Sequence, residues 1–220
     1  MKDGIIIKGI SGFYYVEVGQ DLYECKARGI FRKKGLSPLV GDRVAISIID
    51  ETDKKGNIEK IYERKTELVR PPIANIDKVL ITFSVKEPSP NMVLLDRFIV
   101  FSEKENLDIR IVLTKVDLDK DGTIVDRIVS VYEKIGYKVI PVSVETGQGV
   151  DQVRHELEGC ISVFAGQSGV GKSSILNAIE PDFKLETAEI SQKLGRGKHT
   201  TRHSQLYKLG PNAIVADTPG

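Results

Sequence analysis

Nine consecutive residues, Gly166-Gln167-Ser168-Gly169-Val170-Gly171-Lys172-Ser173-Ser174, restrict what this chain can fold into more than any other stretch. Their glycines let successive backbone N–H groups turn inward at phosphate oxygens, and the Gly-Lys-Ser ending completes a phosphate-loop pattern. Such a loop works only where a buried strand hands over to a helix. Ile161–Ala165 supplies the apolar strand, and residues 174–179 begin a helix whose positive end adds to the anion site. Lys172 is expected to neutralise the β- and γ-phosphates, and the Ser173 hydroxyl to ligate Mg²⁺. The loop therefore demands an α/β sheet with ligand at the carboxyl ends of its strands.

The surrounding sequence supplies that sheet. Residues 78–83, 109–113 and 138–142 read as buried strands, while 91–105, 123–135 and 150–157 carry apolar residues at helical spacing. This alternation predicts a mostly parallel sheet with helices on both faces. The N-terminal part differs, with short β-rich runs at 5–7, 13–18, 22–25, 43–48 and 58–61 separated by turn residues such as Ser11-Gly12 and Gly41-Asp42. Five such runs suggest a small antiparallel barrel, either oligonucleotide-binding or SH3-like. Pro71-Pro72 is expected to stop regular structure, which divides the chain into a barrel at 1–70 and an α/β domain at 71–220.

Two further motifs concern the base. Thr114-Lys115-Val116-Asp117 closes a strand, and a carboxylate there can accept both N1–H and the exocyclic amine of guanine. Adenine offers no such donor pair, so discrimination of several kcal/mol is expected. The Lys115 stem can lie along base and ribose. Thr114 stands where guanine-nucleotide proteins usually carry Asn, which puts one supporting polar contact in question. Ser143-Val144-Glu145 follows the next strand and resembles the Ser-Ala-Lys loop whose central backbone N–H meets guanine O6. A backbone donor tolerates Val144, whereas Glu145 departs from the usual Lys.

A long polar stretch, 181–204, contains Gly197-Lys198-His199-Thr200-Thr201, placed where a switch threonine completes Mg²⁺ coordination. Thr200 and Thr201 are both candidates. Asp217-Thr218-Pro219-Gly220 follows the apolar run Ala213–Ala216. Asp217 is expected to hold the Mg²⁺ shell through water and the Gly220 N–H to sense the γ-phosphate. With Lys172, these four residues form the expected catalytic set.

Composition narrows the setting. The 220 residues are 40% hydrophobic and 29% charged, and no apolar run approaches the roughly 20 residues needed to cross a bilayer. No membrane association is expected, and cytoplasm is the default compartment. Cys25 and Cys160 lie in different predicted domains and read as core thiols. Net charge is only +1. Arg28, Arg32, Lys33 and Arg43 nevertheless cluster in the barrel, as do Arg64, Lys65 and Arg70, and RNA contact is one reading of the first group.

The motif order is base motif, base loop, phosphate loop, first switch, second switch, a circular permutation of the Ras-like order. With a barrel ahead of it, and with Pro38-Leu39-Val40-Gly41-Asp42-Arg43-Val44 and Arg70-Pro71-Pro72-Ile73-Ala74-Asn75-Ile76-Asp77, the whole chain resembles the bacterial small-ribosomal-subunit biogenesis GTPases of the RsgA/YjeQ group. The resemblance implies an oligonucleotide-binding (OB) barrel and a permuted P-loop GTPase domain. It also implies GTP, GDP and Mg²⁺ as ligands, and a monomer acting on the small ribosomal subunit and its rRNA with ribosome-stimulated hydrolysis. The family's C-terminal zinc domain is absent from this sequence, so Zn²⁺ is expected only in a segment beyond it. A binding-module alternative, in which nucleotide merely sets RNA affinity and hydrolysis is incidental, predicts no stimulation by ribosomal subunits.

Overall fold

The computed structural model describes residues 1–33, 35–69, 72–181, 205–210 and 212–216, which form two compact units, one built on Met1–Ile76 and one beginning at Asp77. The first unit is a closed five-stranded barrel: β1 (Lys2–Ile10), β2 (Phe13–Val18), β3 (Asp21–Ala27), β4 (Arg43–Asp50) and β5 (Lys55–Ile61), in the order β1-β2-β3-β5-β4. Alternation builds it. In β3, Tyr23 and Cys25 are buried while Glu24 and Lys26 between and beyond them face outward. Ser11 and Gly12 both have positive φ, 49° and 86°, which suits the two-residue hairpin that pairs Ile10 with Phe13. β3 and β5 run parallel, whereas the other neighbouring pairs are antiparallel. This closed order, with a short helix α1 (Gly29–Lys33) between β3 and β4, is OB-like and resolves the choice that periodicity left open.

The segment 37–42 is an anchor. Asp42 is fully buried, and its two carboxylate oxygens accept from Arg64 at 2.7 and 2.8 Å and from the Leu39 N–H at 2.7 Å. A Cβ on Gly41 would stand 2.0 Å from the Ala74 carbonyl oxygen, so only glycine admits the close approach. The Asn75 amide completes the joint by donating to the Gly41 carbonyl at 2.9 Å. Arg64 is thus a structural cation. Pro72 does not end regular structure: it opens a three-residue strand β7 (Pro72–Ala74) paired with β6 (Glu67–Val69), because a first strand residue can lack its N–H.

The α/β sheet and its helices comprise β8 (Lys78–Ser84), α2 (Met92–Lys104), β9 (Asp108–Thr114), α3 (Thr123–Lys134), β10 (Lys138–Val142), α4 (Val150–Leu157), β11 (Ile161–Ala165), α5 (Lys172–Ile179), β12 (Leu206–Leu209) and β13 (Ala213–Ala216). The sheet order is β10-β9-β8-β11-β13-β12, with β10/β9, β9/β8, β8/β11 and β11/β13 parallel. Helices α4 and α5 pack on one face over Leu80, Ile140, Val142 and Phe164. α2 packs on β8 and β9, and α3 on β10. At the amino end of the sheet, Glu156 of α4 accepts from Lys78, Arg110 and Lys138 at 2.8, 2.7 and 2.6 Å, tying three strands to one helix. No helix among the described residues is long and apolar enough to cross a membrane.

Candidate nucleotide site

The loop after β11 has the geometry its glycines require. Gly166, Gly169 and Gly171 sit at φ of 146°, 79° and 101°, and a Cβ on Gly166 would lie 2.2 Å from the Thr82 carbonyl oxygen. A side chain there would strike β8. Gly171 is the N-cap of α5, and the first intrahelical bond is from the Ile175 N–H to the Gly171 carbonyl at 3.0 Å. The preceding N–H groups of the helix's first turn therefore lack intrahelical acceptors, which is the origin of an anion site. The Lys172 ammonium folds over the loop and donates to the carbonyls of Gly166 and Gln167 at 2.7 and 2.8 Å. Burial lowers its pKa from the ordinary lysine value, because desolvation disfavours the charged form. Ser168 is exposed, Val170 is buried, and Ser173 and Ser174 are half-buried on the first turn of α5. The Ser173 hydroxyl is a hard oxygen donor beside Lys172, the chemistry that Mg²⁺ accepts.

The base motif lies next to this loop because β9 and β11 flank β8 in the parallel sheet. Thr114 ends β9, is 3% exposed, and its hydroxyl donates to the Val170 carbonyl at 2.6 Å. The threonine therefore retains a supporting contact, directed at the phosphate loop itself. Lys115 adopts φ of 57°, which turns the chain into a short 3₁₀ turn, Val116–Leu118, and Val116 is buried beneath it. This turn lifts Asp117 from the strand end. The Lys115 ammonium donates to the Glu87 carbonyl in the loop after β8. Nothing in the sequence signals that contact, since a backbone acceptor has no residue signature.

Ser143, fully buried after β10, donates its hydroxyl to Asp117 Oδ1 at 2.6 Å and accepts from the Thr146 N–H at 3.2 Å. The base loop and the carboxylate are thereby one hydrogen-bonded unit. Sequence reasoning credited this loop with a backbone donor and missed the serine's grip on Asp117. Val144 and Glu145 are exposed. Lys172, Ser173, Thr114, Asp117 and Ser143 are thus brought to one end of the sheet. Thr200, Thr201, Asp217 and Gly220 lie outside the described residues, as does Arg70. On the barrel, Arg28 pairs with Glu59 at 2.6 Å, Lys33 and Arg43 are exposed, and Arg32 lies in α1. Both cysteines are free, and among the described residues no group of three or more His, Cys, Asp or Glu is arranged to hold a metal ion.

A phosphate loop on the central strand, entered after the base motif rather than before it, defines a circularly permuted P-loop GTPase fused to an OB-like barrel. Comparison with known proteins agrees. The family model for the RsgA GTPase domain matches residues 61–220, and that for the RsgA N-terminal domain matches residues 3–58. The chain belongs to the RsgA GTPase family and is a GTP hydrolase. A small ribosomal subunit biogenesis GTPase RsgA of Alkaliphilus metalliredigens is 51% identical over 220 residues, covering 100% of this chain and 75% of that protein. Its counterpart from Ruminiclostridium cellulolyticum is 49% identical, covering 100% and 72%. The crystal structure of YjeQ from Thermotoga maritima superposes with a TM-score of 0.85 at 36% identity, covering 100% of this chain and 74% of that one. That of YloQ, described as a circularly permuted GTPase, gives 0.77 at 40% identity, covering 100% and 71%.

Proposed function

We propose that this chain binds GTP across the carboxyl ends of β9, β10 and β11 and hydrolyses it in the service of small-ribosomal-subunit biogenesis. The observation that carries the reading is the Asp117–Ser143 pair beside a complete phosphate loop: a carboxylate held at 2.6 Å by a buried hydroxyl, within one sheet edge of Lys172. Asp117 accepts from guanine, and Ser143 fixes the carboxylate's orientation while Val144 and Glu145 contribute backbone. Thr114 and Val116 hold the motif against the phosphate loop and core. The N–H groups of residues 166–174 cradle the phosphates. Lys172 leaves its two carbonyls to meet the β- and γ-oxygens, a short movement because the ammonium already lies over the loop.

Ser173, with Asp217 and one of Thr200 and Thr201, would hold Mg²⁺, which supplies charge neutralisation at the phosphates. Water attacks the γ-phosphoryl, giving GDP and phosphate, and Gly220 reports the γ-phosphate through its N–H. The named relatives act in small-subunit biogenesis, and the OB-like barrel with exposed Lys33 and Arg43 suits phosphodiester contact, so we assign rRNA of the small subunit as its partner. The deciding experiment is phosphate release from GTP with and without small ribosomal subunits. Stimulation on the order of tenfold or more is expected, well inside what a partner-supplied group contributes. An unchanged rate would favour the binding-module alternative.

A further inference from the structure

Away from the nucleotide site, a cavity of about 330 Å³ opens among the last turns of α4 and α5, Gly210 and Asn212, and the strand ends at Leu209 and Ala213. Its floor is apolar and buried. Leu157, Ile179, Leu209 and Ala213 line it, each no more than 6% exposed and each part of the core cluster under α4 and α5. Its rim is acidic. Glu158 and Glu180 stand on it, and Glu158 is 57% exposed, with the exposed His155 ring at 3.3 Å its ion-pair partner among the described residues. Among the described lining residues the cation is Arg154, and it is already engaged: its guanidinium donates to the Ile179 carbonyl at 3.0 Å and pairs with Asp151 at 3.4 Å. Among the described lining residues, two carboxylates stand against one guanidinium.

We propose that this cavity is a docking site for a protein partner, seating one apolar side chain on the floor with an adjacent Lys or Arg between Glu158 and Glu180. Size and charge choose the occupant. The volume lies at the lower limit of small-molecule pockets and matches one or two side chains. The acidic rim repels a phosphodiester backbone, so an RNA strand is disfavoured, while a basic side chain meets two carboxylates whose field is only partly offset. The position also matters: α5 runs from Lys172 to the cavity in eight residues, about 12 Å of rigid helix. A docked partner and the phosphate loop thus share one element, and any effect of one on the other is reciprocal.

The test uses the whole chain with labelled methyl groups, titrated with the tripeptide amide acetyl-Lys-Leu-Lys. Saturable shifts of the Leu157, Ile179 and Leu209 methyls are expected at about millimolar peptide, the range for so small a ligand. The Glu158→Gln/Glu180→Gln variant should weaken binding about fivefold or more, and acetyl-Glu-Leu-Glu amide should leave the wild-type methyls unmoved. The peptide comparison keeps the test decisive if the variant folds poorly. Equal shifts from the acidic peptide, an unaltered affinity in the variant, or shifts produced by a short oligouridylate would each overturn the proposal.

Discussion

Replacing Thr114 by Val removes one hydroxyl from the seam between base motif and phosphate loop and keeps nearly the same shape. The lost bond is short, 2.6 Å, and buried on both sides, with Thr114 3% and Val170 1% exposed. A bond of this kind contributes about 1 kcal/mol net, and leaving the Val170 carbonyl unpaired in the interior costs about 1–3 kcal/mol. Water can reach that carbonyl only if the phosphate loop moves, so most of the cost should appear as weaker nucleotide binding. A loss of about 1.5–3 kcal/mol corresponds to a GDP affinity lower by about 10- to 100-fold. Fluorescent-GDP titration, with thermal melting alongside, measures both shares. Thr114→Ser retains the hydroxyl and should stay within about threefold. If Thr114→Val binds GDP as tightly as the parent and melts at the same temperature, the seam has no role in shaping the loop.

Other expectations follow from the same geometry. Asp117→Asn should abolish the preference for guanine over adenine nucleotides while leaving the fold intact, as competition binding and circular dichroism would show. Gly166→Ala places a methyl 2.2 Å from the Thr82 carbonyl, and should lower stability by about 1–3 kcal/mol and remove measurable nucleotide binding. For Glu156, burial alone would raise the carboxyl, but hydrogen bonds from Lys138 and Lys78 and the charge of Arg110 outweigh it and hold the pKa at about 2, below the ordinary 4.5. Its folded pKa is depressed, so its contribution is complete above about pH 4.5 and is lost as pH falls toward 2. Solvent screening at Lys138 trims the effect to about 1–3 kcal/mol. Glu156→Gln should therefore be less stable than the parent at pH 7 by about that amount, with the gap narrowing toward pH 2 in denaturant titrations.

The elements of the α/β unit were legible because their apolar spacing is strong: β10, α4, β11 and β13 match the predicted ranges at both ends. Barrel strands were legible as runs, yet their closure was not, because the parallel β3–β5 pairing depends on contacts far apart in sequence. α1, β6, β7 and β12 are short and make their case only through tertiary partners, as Pro72 shows by opening a strand. The phosphate loop and Asp117 were visible as residue types. The bonds that connect them were not: Thr114 and Lys115 both reach backbone carbonyls, and Ser143 holds Asp117 by a side chain that the loop motif does not demand. The role of Arg64, which serves the buried Asp42, could not be read from charge clustering, because the carboxylate it pairs with lies 22 residues away.

Competition for a fluorescent GTP analogue is the most direct measurement of whether one pocket reads both the triphosphate and the base. Unlabelled GTP should displace the analogue at a concentration about 100-fold or more below ATP, as several kcal/mol of discrimination at Asp117 requires. GTP and ATP displacing it at equal concentrations would contradict the assignment of Asp117, and with it the guanine site described above.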